Sequence, residues 1–325
     1  MHKRINQDKM KSKLLSAGVA ILRTVLLVGF SYIILHPIIL MISKAFMAQE
    51  DVFDNSVLWI PKHFTLQNLK VAFDTMKYDK ALMNSLVTSL VGTIMQVIPC
   101  MMAGYAFARF KFRGSNFLFA IVILTILMPP QQFMTPLYLH LSRFDIFGIV
   151  KAVNGGQTIN LTATYIPYFL LSLTGFGLRN GLFIFLFRQN FRGIPRETEE
   201  AAMIDGAGQF RVFWQIMLPS SVTILVTVML FSFVWQYNDT YYSGLLLSDV
   251  QTLPQAFGIF DATISGWNGD LSSHNVLAQY VLDDPKVLAL LRNSAMLLIL
   301  GPLLIVYALA QKHFIQSVER SGLVG

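Results

Sequence analysis

Charge is what this 325-residue chain has least of: Lys, Arg, Asp and Glu together make up 13% of it, against 54% hydrophobic residues. A soluble domain of this length needs far more polar surface to stay in solution. The single cysteine, Cys100, excludes an internal disulfide and a thiolate metal cluster; its place inside an apolar run assigns it to packing. There is no G-x4-G-K-[ST] phosphate loop and no H-E-x-x-H pair. His2, His36, His63, His140, His274 and His313 are scattered and read as structural or exposed rather than as ligands. Asp and Glu are missing from all the long apolar runs. That removes the paired carboxylates of an intramembrane hydrolase and the ionisable relay of a proton-coupled carrier.

What is present is a set of long apolar runs, each close to the roughly 20 residues that cross a hydrocarbon core as helix. The spans expected are Thr24–Ser43, Ser85–Phe107, Phe117–Leu139, Tyr165–Phe187, Ser221–Tyr237 and Leu288–Leu309. Backbone groups inside lipid must pair within their own segment, so these are helices rather than strands. The fold class expected is an all-α polytopic membrane protein with about six transmembrane helices. Residues 1–23 form a cytoplasmic tail and 24–325 a single transmembrane domain. The basic N-terminus followed by an apolar run resembles a signal peptide. The run is long enough to span and ends in no small-x-small cleavage pattern, so it reads as a retained first span.

The net charge of +7 is laid out as a topology signal, not as a nucleic-acid footprint. Lys3, Arg4, Lys9, Lys11 and Lys13 precede the first span. Arg109, Lys111 and Arg113 lie between the second and third, and Arg188, Arg192, Arg196 and Arg211 between the fourth and fifth. These alternate correctly to share the cytoplasmic side. The loop 238–287 carries Asp239, Asp249, Asp261, Asp270, Asp283 and Asp284 against Lys286 and falls outside. The chain is expected N-in and C-in. Pro37, Pro99, Pro136, Pro167 and Pro302 read as ordinary kinks, which neighbouring helices tolerate. At Pro129-Pro130 a kink coincides with the polar pair Gln131-Gln132.

The loop 188–219 contains IPRETEEAAMIDGAGQFRVFWQIMLPSS. Its local chemistry gives two short helices and a turn. Pro195 suits a first helical position, and Glu197, Glu199 and Glu200 suit the positive end of the helix dipole. Gly206 can take the left-handed conformation that closes the first helix. Phe210, Phe213, Trp214 and Met217 form an apolar stripe on the second, and Pro219 turns the chain into the fifth span. A helix-turn-helix this amphipathic, beside a membrane, should dock something.

Glu200-Ala201-Ala202, then Gly206, then Ile216-x-Leu218-Pro219, reproduce the EAA motif of ABC importer permeases, E-A-A-x3-G-x9-I-x-L-P, at every position. Asp205-Gly206-Ala207 resembles the form usual in the carbohydrate-uptake branch. The likeness to maltose-type permeases extends through FTLQNL (64–69), Asn84-Ser85, AGYAFARFKFRG (103–114), MPPQQFMTPLY (128–138) and FRQNFRGIP (187–195). Tyr237-Asn238-Asp239 stands where such permeases often have Trp-Asn-Asp. The ending ERSGLVG departs from the family pattern, the loop 143–164 is longer than usual, and local chemistry gives GFGLRNG in the fourth span no role.

The resemblance implies a binding-protein-dependent importer of a sugar or oligosaccharide in a bacterial or archaeal inner or plasma membrane. Two homologous permeases pair around a pathway, and two ABC ATPase subunits bind beneath. An extracytoplasmic solute-binding protein delivers the carbohydrate. The coupling set is Glu200, Ala201, Ala202, Asp205, Gly206, Ile216, Leu218 and Pro219, inserted into a groove on one ATPase. This chain binds no cofactor and is no enzyme; ATP and Mg are held by the ATPase chains. The pathway candidates are Gln131, Gln132, Arg179, Trp235, Asn238 and Asp239. Sugars are gripped by such polar groups with an aromatic face stacked on the ring. For Trp235, Asn238 and Asp239 the alternative is an interfacial belt at the water boundary. Arg179 lies about nine residues from Arg188, roughly 13 Å along a helix, and should face protein or water. Alternatively, Gly175, Gly177 and Gly181 break the helix there. A permease of the same architecture for an amino acid, peptide or phosphate ester is the competing function.

Overall fold

The computed structural model describes residues 2–129, 131–162, 164–266, 277, 280, 282 and 284–322, with the backbone alone at 2–15, 131 and 312–322. Pro130, Asp270, His274 and Asp283 lie outside the described residues. The helices are α1 (His2–Ala45), α2 (Gln67–Thr75), α3 (Tyr78–Arg109), α4 (Ser115–Leu127), α5 (Gln131–Ser142), α6 (Ile149–Val153), α7 (Ile166–Thr174) and α8 (Asn180–Gly193). They continue as α9 (Arg196–Ile204), α10 (Gln209–Val212), α11 (Leu218–Ser220), α12 (Val222–Tyr237), α13 (Tyr241–Leu246), α14 (Leu253–Ile264) and α15 (Pro285–Gly322). Among the described residues the only β pairing is two isolated bridges, Met47 with Phe64 and Phe144 with Ile159.

Three stretches are long and apolar enough to cross a membrane: Ser16–Ala45, Tyr78–Arg109 and Pro285–Gln311. They contain the first, second and sixth expected spans. The first helix begins at His2 and so runs through the expected N-terminal tail. Pro37, Pro99 and Pro302 lie inside unbroken helices, as kinks would. The third and fourth expected spans are each two helices, not one. α4 ends at Leu127 because Met128, extended at φ −79° and ψ 124°, precedes a proline that disfavours the helical region there. α7 ends on Gly175 at φ +84°, and α8 begins only after Arg179 at φ +60°. The fifth span, α12, meets the helical stretch Gln209–Ser220 at 77°.

The chain forms two compact units, Met1–Phe73 with Thr263–Leu298, and Asp74–Ala262 with Ile299–Gly325. In the first, Asn68 closes the end of α1. Its Nδ2 donates to the carbonyls of Ala45 (3.3 Å) and Met47 (2.8 Å), satisfying acceptors that a helix end leaves open. Tyr280 in turn donates to Asn68 Oδ1 at 2.8 Å.

In the same unit His63 folds back on Asp51. Its backbone N–H donates to Asp51 Oδ2 (2.8 Å), and its ring Nδ1 lies 2.7 Å from Oδ1. Burial pushes the Asp51 carboxyl up, but the main-chain and side-chain hydrogen bonds from His63 outweigh it and leave it below its ordinary value. The hydrogen bond to Asp51, and then the carboxylate's charge, raise His63. The His63 contribution is therefore complete below its unfolded pKa of about 6.5 and is lost as pH rises through its higher folded value. That of Asp51 is present above about 3.9 and lost as pH falls through its lower folded value. Amide exchange across 46–65, corrected for intrinsic rate, should be slowest between those limits. His63→Ala should abolish the alkaline side of that profile, and an unchanged profile would refute the pairing.

The second unit is built on α3, which packs along α8 and against α7 and α12. Val97, Cys100, Met101 and Tyr105 of α3 meet Phe183, Ile184, Phe187 and Phe191 of α8, with Val212, Phe213, Met217 and Val228 completing the core. Cys100 is fully buried there, as its apolar setting implied. Glycines permit the close approach on which such contacts depend. A Cβ on Gly104 would stand 2.5 Å from Phe187 Cβ and 2.9 Å from the Arg188 backbone nitrogen.

Candidate functional site

Two constellations stand out in the second unit. One lies at the break between α7 and α8. Residues 175–179 leave the helix, and backbone outside a helix at membrane depth needs partners that lipid cannot supply. Gln96 of α3 supplies them, its Nε2 donating to the Leu178 carbonyl and to Asn180 Oδ1. Gln96 Oε1 accepts from Ser232 Oγ at 2.6 Å, and the Gln236 carboxamide lies 3.1 Å from Gln96 Oε1 and 2.9 Å from Ser232 Oγ. Gln96, Asn180, Ser232 and Gln236 are all buried. A Cβ on Gly92 would collide with Gln236 Oε1, so a side-chain-free turn of α3 makes room for the network.

Gln96→Leu fills the same space and strands the Leu178 carbonyl and the Asn180 amide. Each stranded buried group costs about 1–3 kcal/mol, although bonds between membrane helices average nearer 0.6. The variant should insert but lose about 2 kcal/mol, read as a lower midpoint for thermal unfolding in detergent. A midpoint equal to wild type would show that the break does not depend on Gln96.

Arg179, the residue before α8, is exposed, and its guanidinium stands 5.6 Å from the Trp235 ring centroid. Trp235 is half-buried, stacked on Phe183 at 5.4 Å and Phe231 at 5.8 Å. Two pathway candidates are thus in contact, with Trp235 packed among aromatics rather than standing free. Of the break expected at Gly175, Gly177 and Gly181, the first two lie in the gap between α7 and α8, whereas Gly181 lies inside α8; Arg179 stands at the edge of the gap.

The other candidates do not join them. Gln132 is exposed on α5, and the Gln131 side chain lies outside the described residues. Asn238 is exposed and donates to its own helix at Val234 O (2.9 Å). Asp239 is buried, and its carboxylate accepts from the backbone N–H groups of Tyr241 (3.3 Å), Tyr242 (3.1 Å) and Ser243 (2.6 Å) at the start of α13. That is the geometry of a helix cap, and it leaves little for a ligand.

The second constellation is the loop between α8 and α12. α9 closes on Gly206 at φ +84°, where Gly206 N–H donates to Met203 O (3.0 Å) and Ala207 N–H to Ala202 O (2.9 Å). This left-handed closure is the one the sequence implied. Nothing lies within 4 Å of a Cβ built on Gly206, so the turn is open rather than packed. Glu200, Ala201, Asp205 and Pro219 are exposed, while Ala202, Ile216 and Leu218 are half-buried against the core. The apolar stripe divides in two: Phe213 and Met217 turn inward, whereas Phe210 (75% exposed) and Trp214 turn outward, and Met203 and Ile204 (86%) are exposed as well.

Glu199 is the residue that sequence reasoning passed over. It reads there as a dipole-favouring acid, yet it is buried and ion-paired with Arg109, which reads as a topology charge. The partners are ninety positions apart. The available signal was the doubled acid of Glu199-Glu200, one more than the motif needs.

A family model described as the binding-protein-dependent transport system inner membrane component matches residues 97–320. The chain is similar to AmyC, a probable starch degradation products transport system permease protein of Thermoanaerobacterium thermosulfurigenes. Identity is 28% over 250 residues, covering 76% of this chain and 84% of that one. It is similar to UgpE, the sn-glycerol-3-phosphate transport system permease protein of Pectobacterium atrosepticum, 26% identical over 310 residues (94% and 97%). Among solved structures, a bacterial ABC transporter involved in the import of the acidic polysaccharide alginate contains a chain with the same fold. The TM-score is 0.68 at 22% identity, over 91% of this chain and 96% of that one.

Proposed function

The chain belongs to the family of binding-protein-dependent transport system inner membrane components, and from that premise we propose that it is one permease of an ATP-driven importer of a sugar or oligosaccharide. The observation that carries the coupling half of this reading is the loop 196–219. The motif residues Glu200, Asp205 and Gly206 are exposed, and so are Phe210, Trp214 and Ile204 of the same loop, even though the Trp214 ring meets those of Phe210 and Phe213 at 6.0 and 5.6 Å. An exposed apolar patch rimmed by charge marks a docking site. Its partner is an ABC ATPase chain that brings ATP and Mg, two such subunits serving a pair of homologous permeases.

The proposed arrangement has about six spans in a bacterial or archaeal inner membrane, N-in and C-in, with α4–α5 and α7–α8 as broken crossings. A broken crossing whose backbone is satisfied by side chains is suited to lining a path rather than facing lipid. Gln132, Arg179 and Trp235 are the pathway groups of this proposal, and an extracytoplasmic binding protein delivers the substrate. The sugar assignment draws on the starch-product relative. The glycerol-3-phosphate relative favours a second reading, a phosphate ester as cargo.

The test is to purify the binding protein encoded beside this chain and identify what it carries by mass spectrometry. ATP-dependent uptake of that compound is then measured in vesicles holding the whole complex. A saccharide taken up only with ATP is expected; an amino acid, peptide or phosphate ester would overturn the sugar assignment. Uptake without ATP would overturn the importer reading itself.

A further inference from the structure

We propose that Arg109 and Glu199 form a positioning pair that fixes the coupling helix α9 to the end of α3 and so carries its movement to the polar break in the membrane. The inference rests on the importer reading and adds to it the route by which the loop reaches the spans.

Both side chains are nearly shut off from solvent, at 6% and 8% exposure, and they are ion-paired. Arg109 Nη2 also donates to the Ile194 carbonyl at 2.7 Å, two residues before α9 begins. From one turn earlier on α3, Tyr105 donates to Glu199 Oε2 at 3.3 Å. The Tyr105 ring stands edge-on to Phe191 at 5.5 Å and against Phe213 at 4.9 Å. The last turn of α3 thus holds α9 at two points and touches the end of α8 and the second loop helix as well.

Stability does not account for this arrangement. Burying two charges costs several kcal/mol of hydration per ion, and apolar residues of similar volume commonly do as well or better. A guanidinium set against a carboxylate while donating to a backbone carbonyl favours one register, which apolar packing does not. The register matters because of what else α3 carries. Gln96, the residue that satisfies the α7–α8 break, lies 13 positions before Arg109, about 20 Å up the same helix. A pull on α9 therefore reaches the break through one continuous helix, without relying on the exposed motif residues themselves.

The experiment uses the full complex in vesicles with its ATPase subunits and binding protein, and ATP with orthovanadate as the probe. An environment-sensitive fluorophore is placed at Ile94→Cys, an exposed α3 position, leaving the buried Cys100 untouched. Wild type should shift its emission on trapping; no shift in wild type would count against the importer reading rather than against the pair. Glu199→Gln breaks the pair, and Arg109→Met with Glu199→Met replaces it by apolar packing. With the ATPase bound and basal hydrolysis retained, the shift is expected to fall about five-fold or more in the double variant and in Glu199→Gln. A wild-type shift in the double variant overturns the proposal, since packing alone would suffice. Failure of the double variant to assemble overturns it too, by making the pair an element of the fold rather than of coupling.

Discussion

Gly104→Val should leave almost no folded protein in the membrane. The position lies where α3 crosses α8, and the nearest atoms to a new Cβ are Phe187 Cβ at 2.5 Å, Arg188 N at 2.9 Å and Ile184 O at 3.1 Å. Two of these are backbone, so no rotamer change can make room. Overpacking a core that can adjust costs about 1–3 kcal/mol. Here the helices must separate, which also loosens the contacts of Cys100, Phe183, Phe187 and Phe191, and the cost should exceed that range. Gly29→Ala is the control: nothing lies within 4 Å of its Cβ, and alanine is the better helix former by about 1 kcal/mol. Fluorescence-detected size exclusion should show loss of the monodisperse peak for Gly104→Val and an unchanged or higher melting midpoint for Gly29→Ala. A normal peak and midpoint for Gly104→Val would mean that the α3–α8 crossing is not as close as described.

Legibility in the sequence follows range. The turn at Gly206 is decided by residues within a few positions, and a local reading finds it; at Pro129-Pro130 the same reading finds a kink where the structure has the end of a helix. Whether Gly175 and Gly177 break a span or merely loosen it depends on whether the freed carbonyl finds a partner. That partner, Gln96, is eighty-two positions from Leu178 and reads as one polar residue in an apolar run. Glu199 and Arg109 fail for the same reason, since each has a sufficient local explanation that hides the distant one. Asp239 is a nearer case: the sequence shows a carboxylate just past a span, and only the fold shows that it accepts from the first turn of the short helix two residues on. The stripe from Phe210 to Met217 was legible as apolar, and only packing separates its buried half from its exposed half.

Glu200→Lys and Gly206→Gln should each abolish transport while leaving the permease folded. Glu200 is exposed at the middle of α9, past the first turn in which the helix dipole acts, so reversing its charge costs the fold little. Gly206 at φ +84° makes any other residue strained by roughly 1–2 kcal/mol, but nothing lies within 4 Å of a Cβ placed there, so a side chain starts into open space. Neither cost approaches what the α3–α8 core and the membrane itself contribute. The same openness is what makes the two positions sensitive in the complex. An exposed turn flanked by Ile204 and Phe210 is a surface that a partner closes over, and central, desolvated anchors in such surfaces carry a disproportionate share of binding energy. A lysine in place of Glu200 brings a buried like or unpaired charge, and glutamine at 206 fills space the partner needs. Membrane yield and pairing with the second permease should stay near wild type, whereas the ATPase subunits should be lost on washing or hydrolyse ATP without response to the loaded binding protein. Normal uptake by both variants would remove the basis for assigning the loop to coupling. Misfolding of both would show that the turn at 206 and the exposed face of α9 at Glu200 belong to the core of the fold, against the exposure the structure gives them.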